Sequence, residues 1–355
     1  MPLSTPDCRL YDAMREAVPV IDAALDKIIR LVGSFAVISS DSRHQRELNE
    51  FIDNVQVGPC SQGLRQFISC YLDSLLTYGN AVGEMIPNSN GNNIEALYNA
   101  KLSDIAIRHG DHPMQAELCT LSPNGKAEPV KHPQLVLFTP LSPPSGEISG
   151  VSLLRSLPFV SEVLMKIFGS VGTNFERIAN LRYAVTYNPG SSGVDKLHAR
   201  EIASTIADQW ADAMSSAKSG VIKDFVAVGD VGIKVIGADN QMLDTEVPVR
   251  QMLEQIVAKL GIPPFMLGLH WSSTERMSTQ QADILTSELE SYRRLLENVI
   301  KRICDYWMRL RGYGARVTVD WDDINLQDQV EIANARLLQA QAERLEQEGG
   351  KQNKP

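Results

Sequence analysis

A chain of 355 residues with 43% apolar and 22% charged residues can bury a large core and form two or three lobes, and no apolar run approaches the length needed to cross a bilayer. With 34 basic against 43 acidic residues the formal charge is −9, which excludes a conventional sequence-reading nucleic-acid binder, since that needs a basic face. Five scattered cysteines (Cys8, Cys60, Cys70, Cys119, Cys304) without C-x-x-C spacing exclude a disulfide framework or zinc knot and predict free thiols.

The first residues, Met1-Pro2-Leu3-Ser4, lack the basic start and apolar stretch of a secretory signal, so the expected location during synthesis and assembly is the cytoplasm. Residues 10–33 carry Val18, Ile21, Leu25, Ile28, Ile29 and Val32 at helical spacing, which predicts one amphipathic helix ended by Gly33-Ser34. Phe35 to Ser39 suits a short strand, and Arg43 to Val55 a polar helix with Leu48, Phe51 and Ile52 inward. Ser61 is placed to cap a further helix in which Leu64, Phe67, Ile68, Tyr71, Leu72, Leu75 and Leu76 recur at three and four. Its end runs into Tyr78-Gly79-Asn80-Ala81, a Gly-Asn turn before a strand. Turn clusters at 88–93, 109–111, 123–125 and 142–146 alternate with short runs at 105–108, 115–121 and 135–138, which predicts an antiparallel β region over residues 80–140.

Gly150-Val151-Ser152-Leu153-Leu154 leads into a helix with Val160, Val163, Leu164, Ile167, Phe168, Val171, Phe175 and Ile178 in register and Pro158 near its start. Gly169 and Gly172 weaken that helix by about 1 kcal/mol each relative to Ala, a cost that close packing against a neighbouring subunit would explain. An α+β insert follows. It comprises a strand at 183–187, a loop at 188–193, a helix at 195–218 with Leu197, Ile202, Ile206, Trp210 and Met214 inward, and strands at 221–228 and 233–236 flanking the turn Gly229-Asp230-Val231-Gly232.

The stretch from Asp244 to Gly312 organises the rest. A helix with Leu253, Ile256, Val257 and Leu260 on one face reaches Gly261, placed as its C′ residue. Pro263 and Pro264 remove two backbone donors and fix two φ angles, which predicts a rigid hinge bounded by Gly261 and Gly268 with a stiff, extended exit. Leu269 to Met277 has no apolar periodicity and reads as an exposed loop. Ser278 with Gln281 forms an S-x-x-Q capping box, and an apolar stripe from Ile284 to Leu310 then predicts one helix roughly 50 Å long. Arg316 to Trp321 alternates as a strand, Asp328 to Glu348 as a polar helix, and the tail 349–355 reads as disordered.

Helix, Pro-Pro hinge, exposed loop and longer helix together resemble the portal proteins of tailed bacteriophages, the HK97-like family of siphoviruses. Gly261-Ile262-Pro263-Pro264-Phe265-Met266-Leu267-Gly268 is similar to that family's signature, Tyr78-Gly79-Asn80-Ala81 to its turn into the wing strands, and Gly150-Val151-Ser152-Leu153-Leu154 to its approach to the stem. The resemblance implies an α+β portal fold. Its parts would be an N-terminal and wing region (1–148), a first stem helix (149–181), a clip (182–242), a second stem helix (243–262), a tunnel loop (263–278), a long buttress helix with a wing strand (279–327) and a short helical crown (328–348) ahead of the tail. It further implies a homo-oligomeric ring, usually of twelve copies, at one capsid vertex of the virion. Such a ring passes double-stranded DNA without sequence preference and binds the large terminase subunit, the major capsid and scaffolding proteins and the head-tail adaptor. It has no catalysis, cofactor, metal or membrane contact of its own.

Under that resemblance Trp271, Ser272, Ser273, Thr274, Glu275 and Arg276 face the DNA channel. Trp271 offers a large amphipathic surface, and Arg276 a weak, reversible phosphate contact that competes with pairing to Glu275 or Asp283. His109-Gly110-Asp111-His112 has H-x-x-H spacing, but Gly-Asp is turn chemistry and no helix presents both imidazoles on one face. Lys196, His198, Arg200, Lys218 and Lys223 are candidate motor contacts or solvated faces. The competing readings are another homomeric head-tail component, or a cytosolic enzyme holding a metal at 109–112.

Overall fold

The computed structural model describes residues 2–110, 115–122, 124–179, 182–187, 193–218, 231–236, 245–269, 275–324 and 326. The predicted crown and tail, the loop at 188–192, the strand at 221–228 and residues 270–274 lie outside them. The chain forms two compact units, Met1–Glu162 with Met252–Pro355, and Val163–Gln251.

The expected first helix is two, α1 (Pro6–Ala17) and α2 (Pro19–Leu31), because Pro19 has no N–H to continue α1 and Val18, held extended ahead of it at φ −122°, ψ 89°, breaks the ladder. Strand β1 (Phe35–Ser39), helix α3 (Gln45–Asn54) and two short strands, β2 (Gln56–Gly58) and β3 (Ser61–Gln62), come next. Ser61 therefore sits in a strand, and the N-cap of α4 (Leu64–Tyr78) is Gly63. Helix α4 is the hub of the first unit. It packs against α1, α2 and α3, and its Leu64, Phe67, Tyr71, Leu72, Leu75 and Leu76 are all buried. Burying side chains of this size stabilises a fold by about 1.5–3 kcal/mol each.

The chain then forms β4 (Asn80–Pro87), β5 (Ile94–Asn99), β6 (Ile105–His109), β7 (Ala116–Leu121), β8 (Ala127–Pro129) and β9 (Val136–Pro140). The predicted single antiparallel region is two sheets. One has the order β3-β2-β5-β4-β9, with β2 parallel to β5 and the other pairs antiparallel; the other is the antiparallel ribbon β6-β7-β8. A cluster of Leu3, Val82, Leu102, Ile105, Ile107 and Val136 joins the two, and Leu3 donates its N–H to the Ile105 carbonyl at 3.0 Å. Tyr71, fully buried in α4, fixes the helix to the larger sheet: its hydroxyl donates to the Ala81 carbonyl at 3.1 Å and lies 2.9 Å from the Thr139 hydroxyl.

Helix α5 (Pro158–Ala179) is approached by a segment that sits on the end of α4. Gly79 is left-handed at φ 79°; its N–H donates to the Leu75 carbonyl and its own carbonyl accepts from Leu141 N–H at 2.8 Å. A Cβ on Gly79 would lie 2.5 Å from both Ser152 N and the Val151 carbonyl carbon, and one on Gly150 would strike the Gly79 and Leu141 backbones. Asn80 spans the gap, its Oδ1 accepting from Gly150 N–H at 2.8 Å and its Nδ2 donating to Ser149 Oγ at 3.1 Å. Ser152 Oγ donates to the Thr77 carbonyl at 2.6 Å. The two short motifs 70 residues apart in sequence are thus one structure.

In the second unit β10 (Arg182–Tyr187) pairs antiparallel with β11 (Val231–Ile236), and α6 (Gly193–Lys218) packs on β10. Val231 and Gly232, read as part of a turn, begin β11 opposite Tyr187 and Thr186. Helix α7 (Glu246–Leu260), helix α8 (Glu275–Leu310) and strand β12 (Val317–Trp321) complete the chain, and β12 returns to pair antiparallel with β1.

Gly79→Ala is expected to lower stability by roughly 3 kcal/mol, combining a disfavoured φ with a backbone collision. Gly125→Ala, also at positive φ but with open space around it, should cost only about 1 kcal/mol. Urea-denaturation midpoints of the two variants measure the difference.

Candidate functional site

The sequence places the functional stretch at the end of α7, where Ile256, Val257 and Leu260 are buried and Leu253 is half-buried. Gly261 ends the helix at φ 68°, donating its N–H to the Val257 carbonyl at 2.9 Å, and Ile262 is buried beside it. The exit is not extended throughout, as the paired prolines suggested. Only Pro263 is extended, at ψ 134°; Pro264–Leu267 is a single 3₁₀ turn. The turn needs no donor from either proline, because its hydrogen bonds come from Met266 N–H to the Pro263 carbonyl (3.0 Å), Gly268 N–H to Phe265 (3.2 Å) and Leu269 N–H to Pro264 (3.0 Å). Gly268 closes it at φ 73°. Gly261, Pro263, Pro264 and Gly268 therefore make a compact bracket that rests on α2, with the Phe265 side chain half-exposed.

Trp271, Ser272, Ser273 and Thr274 lie outside the described residues. Glu275 and Arg276 do not belong to the loop: α8 begins at Glu275, so both occupy its first turn, and Ser278 with Gln281 lies inside the helix rather than capping it. The helix is 36 residues long, about 54 Å at 1.5 Å per residue. Leu285, Leu289, Tyr292, Leu296, Val299, Ile300, Ile303 and Trp307 are buried as the stripe predicts, whereas Ile284 is 64% exposed.

Sequence reasoning missed the polar fixings of this helix. Arg293, 9% exposed, donates Nε–H to the Val32 carbonyl at 2.8 Å at the end of α2, and its guanidinium lies 5.1 Å from the Trp321 ring centroid. Burial pulls its pKa below the usual arginine value, against the opposing fields of Asp322, Glu290 and Asp323. Trp307 donates Nε1–H to Asn93 Oδ1 at 2.7 Å and stacks on Phe51. Arg311 and Tyr313 both hold Glu47 Oε2 at 2.8 Å, and their hydrogen bonds, with the Arg311 charge, depress the Glu47 pKa. An arginine between Tyr292 and Arg294 in a charged helix gives no sequence signal that it faces inward.

Helix α5 carries an exposed apolar face. Met165 is 42%, Phe168 48% and Phe175 53% exposed, and at 100° per residue these three fall with Gly169 and Gly172 within about 120° of arc. A Cβ added at either glycine meets nothing within 4 Å, so no contact among the described residues requires them. His109 is an exposed residue at the end of β6, and Asp111 and His112 lie outside the described residues. No group of three or more potential metal ligands occurs among the described residues. His198 and Arg200 are exposed on α6, where Lys196 and Lys218 also fall; Lys223 lies outside the described residues.

No protein-family model and no curated protein sequence matches the chain. Solved structures do. A chain of the virion of a native gene transfer agent (GTA) particle aligns over 96% of this chain and 90% of its own, at 13% identity and a TM-score of 0.65. A chain from the neck of a native GTA particle, computed with C12 symmetry, aligns over 91% and 88% at 14% identity and a TM-score of 0.60. An HK97 family phage portal protein from Corynebacterium diphtheriae aligns over 87% and 95% at 14% identity and a TM-score of 0.47. The chain has the α+β fold of the GTA chains.

Because Gly261 and Gly268 have open space around them, their replacement strains only the backbone. Gly261→Ala and Gly268→Ala should each cost about 1 kcal/mol, and Asn at either position should recover part of it. Equilibrium denaturation of the four variants is the check.

Proposed function

We propose that this chain is a portal subunit of a tailed phage or phage-like particle. Copies form a closed ring, usually of twelve, at one capsid vertex, through which double-stranded DNA is packaged and ejected. The observation that carries the reading is the fold likeness to a GTA virion chain over 96% of the sequence, together with the neck chain whose particle was computed with C12 symmetry. The hinge motif at 261–268, the Gly79-Asn80 turn and the approach at 150–154 support it from the sequence side.

On this reading residues 1–148 with β12 form the wing, α5 and α7 the stem, and residues 182–242 the clip that meets the terminase motor and later the head-tail adaptor. Residues 263–278 carry the tunnel loop, with Trp271 to Thr274 at its tip and Glu275 and Arg276 where α8 begins, and α8 is the buttress. Residues 328–348 form a short crown. The chain itself contributes no catalysis, and the energy for packaging comes from the motor. A net charge of −9 suits a channel whose cargo must slide, because an acidic lumen repels phosphate.

Negative-stain microscopy and native mass spectrometry of the full chain are expected to show a closed ring of about a dozen subunits with a duplex-wide channel. A compact monomer or dimer that stays so at high concentration and with scaffolding protein overturns the reading. The exposed face of α5 is the proposed seat of a neighbouring subunit. Replacing Met165, Phe168 and Phe175 together by Ser should disperse the rings while leaving the circular-dichroism spectrum unchanged. Replacing Trp271 to Thr274 by Gly-Ser should leave rings intact and impair packaging or DNA retention; normal packaging and retention would remove the loop from the mechanism.

A further inference from the structure

The ribbon of β1 and β12 has two unlike edges. Phe35 pairs with Trp321, Val37 with Val319 and Ser39 with Val317. Ser40 N–H donates to the Arg316 carbonyl at 2.9 Å and Asp322 N–H to Ser34 at 3.1 Å, which sets the phase. Even-numbered residues bond across the ribbon, and odd-numbered ones turn their N–H and C=O outward. On β1 side chains occupy three of the six outward groups. The Gln45 carboxamide accepts from Ser39 N–H and donates to the Val37 carbonyl, each at 2.8 Å, while Arg65 donates to the Phe35 carbonyl at 3.2 Å. On β12 the outward backbone groups of Val317, Val319 and Trp321 have no hydrogen-bond partner among the described residues, and the buried Trp321 Nε1–H has no acceptor.

The two faces of β12 also differ. Val317 is buried and Val319 and Trp321 are half-buried, whereas Arg316, Thr318, Asp320 and Asp322 are exposed on the opposite face. Neither Asp320 nor Asp322 forms an ion pair among the described residues. We propose that the outer edge of β12 is a strand-addition site that takes an extended segment of a different protein chain. The segment's alternate residues are apolar, and basic side chains lie opposite Asp320 and Asp322 with an acidic one opposite Arg316. Open backbone groups supply the affinity, and the charge order Arg316, Thr318, Asp320, Asp322 sets the register and direction. Gln45 and Arg65 sit across the outer edge of β1, whereas among the described residues nothing bonds the outer edge of β12, which is open to a third strand that a two-stranded ribbon gains stability by acquiring. The site does not depend on ring formation.

The probe is the blocked heptapeptide Lys-Val-Lys-Val-Thr-Val-Glu, which presents those charges when antiparallel to β12. It is added to the full chain and followed by residue-resolved hydrogen exchange. Amide exchange at Val317, Val319 and Trp321 is expected to slow by about tenfold or more. The same peptide N-methylated at the residues that would bond β12 should have no effect. Val319→Pro should abolish the response and lower the denaturation midpoint far less than Thr318→Pro, because the Val319 N–H bonds nothing among the described residues whereas Thr318→Pro breaks the ladder to β1. Should Val319→Pro fail to fold, the N-methylated peptide still decides. Equal effects of the two peptides, no slowing, prior protection of the three amides in the free chain, or protection that rises with protein concentration alone would each overturn the assignment to a foreign strand.

Discussion

Where α4 ends, the segment 149–154 lies directly on its backbone with no side chain between them. Gly79 and Gly150 make that approach possible, and the hydrogen bonds it creates involve the Leu76 carbonyl, the Gly150 N–H and both ends of the Asn80 amide. Three elements meet there: the hub helix α4, the inner strand β4, and the peptide that leads into α5. Their mutual arrangement is set by backbone geometry, which tolerates no added atom, more than by apolar packing, which tolerates rearrangement. Arg15 reinforces the same corner from α1, reaching Asp73 at 2.7 Å and Thr77 at 2.8 Å on α4 and Asp22 at 2.7 Å on α2. Because Thr77 also gives its carbonyl to Ser152, the N-terminal helices and the approach to α5 share one residue.

The second fixed point is the middle of α8. The Val32 carbonyl lies just past the end of α2, where a backbone acceptor lacks an intrahelical partner and a cation is favoured. Arg293 supplies both from a helix 261 residues away, and its guanidinium then covers the Trp321 ring of β12. Burying an arginine without a carboxylate is costly. The cost is reduced because one donor is satisfied and the aromatic face replaces part of the lost hydration. One side chain thus ties α2, α8 and β12, elements that a purely apolar core would let slide.

The helices with clear apolar periodicity, α3, α4 and the body of α8, were legible from residues alone, because a stripe at three and four has one geometric meaning. The errors have distinct physical origins. Pro19 sits inside a good stripe and breaks it, so periodicity outvoted a missing N–H. Ser61 and Ser278 are correct capping residue types at positions where a strand in one case and an earlier helix start in the other removed the role. Two prolines argued for an extended exit, yet a 3₁₀ turn whose first donors come after them accommodates both. Strands β2 and β3 are too short to carry a period, and the strand that joins them to the sheet, β5, is remote in sequence. At the site, the bracket from Gly261 to Gly268 was readable because glycine and proline have special φ values. Arg293 was not, since nothing local distinguishes an inward arginine from its outward neighbour Arg294.

The exposed face of α5 ties these observations to function. A helix stable by itself would not carry two glycines and three large exposed apolar side chains on one face, since the glycines cost helix stability and the apolar groups cost hydration. Both costs vanish together if another helix packs there, because small residues admit its backbone and large ones then bury around it. A surface of this kind, meeting a different surface on the next copy, generates a ring when the rotation closes. Under the portal proposal the net negative charge would work the other way, holding copies apart until that apolar contact forms and keeping a polyanionic cargo from adhering afterwards. On the proposed reading, assembly is therefore driven by short-range apolar burial and opposed by screened, long-range repulsion, so raising salt should favour ring closure while leaving the fold of each subunit unchanged.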